Sequence, residues 1–450
     1  MPHTPLPHVT MIGLGYIGLP TAAVIAQAGC NVLGIDVQQH VVDTINRGEI
    51  HIEERDLDVL VNDMVDCGRL SAATRPIESD VFLIAVPTPF GEHNTPDISY
   101  VLNAAELIAP VLKRGDTVIL ESTSPIGTTQ KIASLLQQKR PDLSVPSDGV
   151  SGPVDINIAY CPERVLPGKI IAELVENDRS IGGLTPSCAR KARRFYEIFV
   201  KGNCIETTAA TAEMVKLVEN ASRDVNIAFA NELSLVADQV GLNIWDVIAL
   251  ANRHPRVNIL QPGPGVGGHC IAVDPWFLVD SAPELTPLVR TAREVNDGKC
   301  DYVIGRCDAM AQANPGAKIA CLGLAFKPNI DDFRESPALK IAAALAAKHG
   351  NRIHIVEPFA DELPPAFDGS RAQLVSLDTA LEQCDIIMLL VDHAGFAQVT
   401  APQIAGKQVY DTRGQWSAIL RKSNVAANLR VIKSQPVANT EKPVRRVSGQ

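Results

Sequence analysis

Short apolar runs alternate with longer helical stretches over the first two hundred residues of the chain. VTMIG (9–13), NVLGID (31–36), DVFLIAVP (80–87), DTVILEST (116–123) and INIAYCPE (156–163) are the strand candidates. Strands this apolar are expected when helices cover both faces of a parallel sheet. The texture changes near Thr211. From there to about Val240 neither Gly nor Pro interrupts the chain, and Val215, Val218, Ala221, Val225, Phe229, Leu233, Val236 and Val240 recur at helical spacing. That spacing predicts one long amphipathic helix. More helix is expected up to Asn252, then a loop, PGPGVGGHCIAVDPW (262–276), too rich in Gly and Pro for helix or strand, then a helix around Leu288 to Ala311. After a linker at Asn314-Pro315-Gly316 the alternation returns, with strands KIACLGLAF, RIHIVEP, DIIMLLVD and QVYDT around a helix from Ser336 to His349. The tail past Arg421 is polar, basic and aperiodic, and disorder is expected there.

The pattern predicts an α/β protein: two Rossmann-like doubly wound domains joined by a central long-helix domain. The expected bounds are 1–205, 206–314 and 315–421, with a disordered tail at 422–450. MIGLGYIGLP and ACLGLAFKPN read as two versions of one strand-to-loop turn, which suggests two related nucleotide-binding domains.

Composition narrows the partners. The chain is 46% hydrophobic and 20% charged, with no run of eighteen apolar residues and no signal-peptide pattern, so a cytoplasmic protein without membrane contact is expected. A net charge of −10 argues against nucleic acid and favours a small ligand. The ten cysteines are scattered without any CxxC, which disfavours a disulfide framework and a metal site.

Three segments carry chemistry. Gly13-Leu14-Gly15-Tyr16-Ile17-Gly18 follows a strand and opens a helix, and Asp36 ends the next strand. The glycines allow a tight turn and close approach of backbone amides to a pyrophosphate, while an acid in that place accepts bonds from ribose hydroxyls and repels a 2′-phosphate. NAD is therefore the expected cofactor. Lys216, Asn220 and Arg223 share one face of the long helix, and the first two suit an alkoxide or oxyanion. Glu213, Glu219 and Asp224 are read as acids off that stripe. Cys270 ends the glycine-rich approach. A metal site would need more ligands than the adjacent His269, which leaves a packed thiol or a nucleophile, with Asp274 four residues on as a possible orienting group.

Together with Ala85-Val86-Pro87-Thr88-Pro89, Glu121-Ser122-Thr123-Ser124-Pro125, the run from Cys161 to Gly168 and the run from Phe326 to Pro337, these segments resemble the UDP-glucose/GDP-mannose 6-dehydrogenase family from Val9 to about Trp416. Residues 252–276 are most similar to the branch that oxidises UDP-N-acetyl-D-mannosamine for bacterial surface polysaccharides. The resemblance implies a nucleotide-sugar substrate, two NAD⁺ per turnover, and a homodimer or higher homo-oligomer. By matched position, Cys270 is implied as the nucleophile that holds the aldehyde, and Lys216 and Asn220 as the groups at the reacting oxygen. Asp274, Glu163 and Thr123 would handle protons and water. Arg164, Val165, Arg223, His254, Arg256 and Gly267 would line the sugar nucleotide, with Arg256 reaching a neighbouring subunit's substrate. Phe326, Lys327 and Arg413 would seat UDP, in a turn that has lost its third glycine. Thr88, Thr123 and Arg334 would lie at the cofactor. The alternatives are the same chemistry on UDP-glucose or UDP-N-acetylglucosamine, a two-electron β-hydroxyacid dehydrogenase, which lacks the cysteine loop and second nucleotide domain, and a non-catalytic NAD-responsive protein, which would not need Cys270 or Lys216.

Overall fold

The computed structural model describes residues 5–91, 94–146, 153–166, 168–268 and 270–422. The tail for which composition predicts disorder lies outside the described residues from 423 onward, as does His269.

Apolar alternation builds the first sheet. Among the described residues it has eight strands: β1 (His8–Ile12), β2 (Asn31–Ile35), β3 (Leu70–Ala73), β4 (Val81–Ile84), β5 (Thr117–Leu120), β6 (Asn157–Tyr160), β7 (Arg179–Gly183) and β8 (Cys204–Thr208). Their order is β3-β2-β1-β4-β5-β6-β7-β8. Met11, Leu83, Ile119 and Ala159 feed one core, while Ile12, Phe82, Ile84, Val118, Leu120 and Ile158 feed another. Burial on both faces is why these strands read as unbroken apolar runs. Pairing is parallel except where β7 meets β6. The hydrophobic pattern missed β3, β7 and β8. LSAA and CIETT are edge strands with partly exposed side chains, and RSIGG is weakened by its two glycines.

A second, wholly parallel sheet follows: β9 (Ile319–Leu322), β10 (Ile353–Val356), β11 (Gln373–Leu374), β12 (Ile386–Leu389) and β13 (Gln408–Asp411), in the order β11-β10-β9-β12-β13. Ile319, Cys321, Ile353, Ile355 and Met388 face one core, and Ala320, Leu322, Ile387 and Leu389 the other. In each sheet the strand order reverses beside the first strand, between β1 and β4 and between β9 and β12. Ligands of open α/β sheets bind at the carboxyl ends of the strands at such a point.

The long helix spans Ala209–Val240, and a second, Ile244–Ala251, is capped by the Asn243 side chain, which accepts from Trp245 N and Asp246 N. The Gly/Pro segment is not a loop to its end: Asp274-Pro275-Trp276 opens a helix, Asp274–Ser281, with Pro275 in its first turn, where a missing N–H is tolerated. Another long helix runs Pro287–Ala313. The chain divides into two compact units, Met1–Arg223 with Val273–Arg290, and Asp224–Ala272 with Thr291–Gln450.

Glu213 and Asp224 correct the sequence reading. Both are fully buried and stand on the same helical stripe as Lys216 and Asn220, so they are structural acids and do not balance a surface helix. In the second unit Arg293 Nη1 donates to Asp224 Oδ1 at 2.6 Å, and Asn296 Nδ2 donates to the same oxygen at 2.8 Å. Breaking a sealed ion pair strands the other charge. Asp224→Ala is expected to lower the unfolding free energy by about 3–5 kcal/mol, whereas Asp297→Ala, on the half-exposed outer partner of Arg293, should cost under about 1 kcal/mol. Urea unfolding followed by circular dichroism checks the contrast.

Candidate active site

In the first unit the dinucleotide turn has the geometry its glycines require. A Cβ added to Gly18 would lie 1.9 Å from Gly13 O, so helix and strand approach too closely for a side chain. A Cβ added to Gly15 would meet nothing within 4 Å, so this part of the backbone faces open space at the start of the helix Gly18–Gln27. Tyr16 is exposed beside it and Ile17 is half-buried. Asp36 Oδ2 accepts from Leu14 N at 3.3 Å and Oδ1 from Gln38 N at 2.9 Å, which orients a half-buried carboxylate with acceptor capacity to spare. An open amide turn at a helix N-terminus with an oriented acid at the neighbouring strand end fits NAD. Across the reversal in strand order, Thr88 Oγ1 donates to Thr123 O at 2.7 Å and joins the loops after β4 and β5.

The polar stripe of the long helix meets Asp274. Lys216 is 9% exposed, and Asn220 Nδ2 donates to Asp274 Oδ2 at 2.5 Å. Burial pushes the Asp274 carboxyl up to about 6, against the pull of the Lys216 charge and the Asn220 bond. A carboxyl titrating there can take and return a proton near neutral pH. One turn before Lys216, Glu213 accepts from Gly127 N (2.6 Å), Thr129 N (2.8 Å) and Thr129 Oγ1 (2.6 Å). It thereby caps the helix Thr128–Lys139 and fixes the loop that follows Thr123.

Glu163 lies in a sealed cluster. Arg179 Nη1 donates to its Oε2 at 2.5 Å, and Arg164 N donates to its Oε1 at 2.6 Å. Tyr196 OH donates to Glu121 Oε1 at 2.6 Å, and the Arg179 guanidinium lies 5.8 Å from the Tyr196 ring centre. Burial, then the Glu163 charge, pushes Glu121 up to about 7. Arg164 Nη1 reaches Glu219 on the long helix at 2.7 Å, so Glu219 is a partner of the expected sugar loop. Val165 is half-buried against the first core. The same loop is pinned by Glu54, which accepts from Gly168 N (2.8 Å) and Ile170 N (3.1 Å).

In the second unit the glycine approach lies against the residues expected to seat UDP. A Cβ on Gly267 would sit 2.5 Å from Glu335 O and 3.2 Å from Phe326 Cβ. Gly263 N donates to Asn231 Oδ1 at 2.9 Å. Arg413 Nη1 comes within 2.6 Å of where a Gly263 Cβ would stand, and its Nε donates to Asp392 Oδ1 at 2.8 Å. Lys327 is exposed, with Nζ 5.2 Å from the Phe326 ring centre. The turn itself departs further from the fingerprint than its third position, since the second glycine is also replaced, by a buried Ala325. Cys270 is exposed. Arg223, His254 and Arg256 are exposed as well, with Arg256 N donating to His254 Nδ1 at 3.3 Å, and Arg334 is an exposed partner of Asp332.

Sequence reasoning missed Glu54, Arg179, Tyr196 and Asn231, and gave no site role to Glu121, quoted only within a motif, or to Glu213. Only Glu213 left a usable signal, three residues before Lys216 on its stripe; the others meet their partners through tertiary contacts. Among the described residues, no group of three His, Cys, Asp or Glu side chains could hold a metal, and no helix is long and apolar enough to cross a membrane.

Known proteins extend these observations. Residues 7–200 match the NAD binding domain, 210–298 the central domain and 320–418 the UDP binding domain of the UDP-glucose/GDP-mannose dehydrogenase family. The chain is 56% identical over 411 residues to an NDP-N-acetyl-D-galactosaminuronic acid dehydrogenase of Ralstonia nicotianae, covering 91% of this chain and 96% of the relative. It is 54% identical over 416 residues to a UDP-N-acetyl-D-mannosamine dehydrogenase of Escherichia coli K12, covering 91% and 99%. A solved UDP-D-ManNAc dehydrogenase from Pyrococcus horikoshii superposes with a TM-score of 0.79 at 40% identity, covering 91% of this chain and 96% of that one.

If Asp274 acts as its environment allows, kcat/KM falls about tenfold per pH unit below about pH 6 as the carboxylate is protonated. Asp274→Asn should lower kcat by about 10²-fold or more and remove that acid limb. Initial NADH-release rates from pH 4.5 to 8.5 measure both.

Proposed function

This chain belongs to the UDP-glucose/GDP-mannose dehydrogenase family, and from that membership we propose that it oxidises the C6 alcohol of UDP-N-acetyl-D-mannosamine to the uronate. The coarser activity, an NAD-dependent nucleotide-sugar dehydrogenase, follows from the family itself. The observation that supports oxidation of an alcohol is the buried Lys216 beside the Asn220–Asp274 pair, while the choice of sugar rests on the similarity to the mannosamine relatives. The three side chains supply two donors for a reacting oxygen and a carboxyl able to move a proton.

Two molecules of NAD⁺ in succession, held by Gly13, Gly15, Tyr16, Ile17, Gly18, Asp36, Thr88 and Thr123 with Arg334 near the pyrophosphate, would supply the acceptor for the two hydrides. Lys216 and Asn220 donate hydrogen bonds to the C6 oxygen, and Lys216 exchanges its proton with Asp274 at hand. The aldehyde cannot become an acid until its carbon gains a nucleophile. Cys270 adds to it as a thiolate, and the same two donors hold the oxyanion of the thiohemiacetal. Oxidation of that adduct leaves a thioester on Cys270, and water cleaves it with Glu163, Thr123 and Asp274 handling the protons. The balance is one alcohol, two NAD⁺ and one water in, and one carboxylic acid, two NADH and two protons out.

Arg164, Val165, Arg223, His254, Arg256 and Gly267 line the sugar side in this reading, and Phe326, Lys327 and Arg413 grip the UDP. Arg256 reaches the substrate of a second subunit, which makes the enzyme at least a homodimer. The functional division in this reading is 1–205, 206–314 and 315–421. The setting is cytoplasmic, with the uronate going to surface polysaccharide.

The relative named for N-acetyl-D-galactosaminuronic acid is about as similar as the mannosamine relatives. The galacto-configured 2-acetamido sugar is therefore the competing substrate. A panel of UDP-N-acetyl-mannosamine, -galactosamine and -glucosamine with UDP-glucose, scored by NADH release, is expected to give the largest kcat/KM for the mannosamine sugar and two NADH per sugar. A larger value for the galacto sugar would replace the substrate assignment. Cys270→Ala should abolish uronate formation while leaving the NAD⁺ dissociation constant within about threefold; unchanged turnover would remove the thioester route.

A further inference from the structure

The two sheets repeat one local design. After β1, Gly13 sits at φ +92° and a Cβ there would lie 2.4 Å from Ala85 O; after β9, Gly323 sits at φ +90° and a Cβ would lie 2.4 Å from Val391 Cβ. At the end of β2, Asp36 accepts from the residue after the glycine and from its own second neighbour. At the end of β10, Glu357 does the same: Oε2 accepts from Leu324 N at 2.6 Å and Oε1 from Phe359 N at 3.0 Å. Here the likeness stops. Asp36 is half-buried, whereas Glu357 is 5% exposed, and its Oε2 also accepts from Ala325 N at 3.3 Å and faces His393 Nε2 at 3.3 Å.

His393 passes that constraint to the next loop. Its Nδ1 accepts from Asn329 N at 2.9 Å, so Nδ1 carries no proton and the ring donates from Nε2 to Glu357. Asn329 sits at φ +62°, and its Oδ1 accepts from Ala394 N at 2.8 Å, a second bond in the opposite sense. The ring is 1% exposed, with the Phe359 and Phe396 ring centres 5.2 and 5.3 Å away. His393 O accepts from Gln415 Nε2 at 3.0 Å, close in sequence to Arg413. Burial raises the Glu357 carboxyl, but the His393 bond and the backbone donors outweigh it and leave the group below its ordinary value. The acid is therefore an ion committed to protein donors.

We propose that Glu357 and His393 are positioning residues for the nucleotide-sugar loop Phe326–Asp332. The acid that in the first sheet is open to a ribose is here turned inward, and through His393 it fixes the backbone that presents Phe326 and Lys327. The second domain thus grips a nucleoside diphosphate without an acid-to-ribose clamp, using the loop and Arg413. This rests on the reading that the loop and Arg413 seat the UDP.

The experiment measures KM for the UDP-sugar, KM for NAD⁺, kcat and thermal stability on the whole enzyme. His393→Phe fills the space and removes both ring bonds, His393→Gln keeps a donor and an acceptor, and Asn329→Gly keeps the positive φ but loses the bond to Ala394. His393→Phe and Asn329→Gly are expected to raise the UDP-sugar KM about tenfold, the weight of roughly one to two lost hydrogen bonds, with KM for NAD⁺ and kcat within about twofold. His393→Gln should recover most of the loss. An unchanged sugar KM in both deficient variants, or a fall in kcat without a change in sugar KM, overturns the proposal. Should His393→Phe fail to fold, Asn329→Gly and His393→Gln decide it alone. Arg413→Ala separates the two readings: if it leaves the sugar KM unchanged, the seating of UDP on this surface is what fails.

Discussion

A row of polar side chains buried along one helix organises most of the chemistry in this protein. Glu213, Lys216, Asn220, Asp224, Asn231, Ser234 and Asp238 follow at intervals of three, four or seven on Ala209–Val240, and most are sealed from solvent. A buried polar group without a partner is costly, so each member dictates a contact. Glu213 caps the helix after the Thr123 loop. Asn220 takes Asp274. Asp224 takes Arg293 and Asn296, and Asn231 donates to Asn296 Oδ1 while accepting from Gly263 N in the glycine approach to Cys270. Ser234 accepts from Lys299 Nζ at 2.6 Å, and Asp238 pairs with Tyr302 and Arg306.

The stripe also explains where titration is tuned. Burial raises the Asp224 carboxyl while the Arg293 charge and its bonds oppose it, and burial lifts Asp274, which has a neutral donor and a lysine, to about 6. Lys299 is pushed down to about 8 by burial, with Asp238 pulling the other way. The same logic recurs off the helix, where Glu121 behind Glu163 is lifted to about 7. Carboxyls poised near neutrality thus stand next to groups to which the proposed mechanism assigns proton transfers.

The two nucleotide turns show how one backbone design serves two tasks. In the first, an exposed glycine turn and a half-buried acid leave room for a ligand. In the second, Ala325 fills the turn and Glu357 is consumed by backbone amides and His393, which under the proposed seating of UDP leaves recognition to side chains of the loop. In that proposed seating Lys327 and Arg413 would exchange the backbone dipoles of an open amide cradle for full charges, which suits a diphosphate.

The sequence by itself determined the sheet strands that are buried on both faces, the long helix, the dinucleotide fingerprint and the segments that carry Lys216, Asn220 and Cys270. Those features are local: an apolar run, a helical period and a glycine turn each state their conformation within a few residues. The edge strands and the helix start at Asp274 were less legible, because pairing and capping decided them rather than period. Only the tertiary structure decided that Glu213 and Asp224 are buried, that Arg179 joins Glu163, that Asn231 holds Gly263, and that Glu357 reaches His393. The chain separations in those pairs run from 16 to 36 residues. The fate of a charge depends on which donor the fold brings to it, and no periodicity in the chain records that.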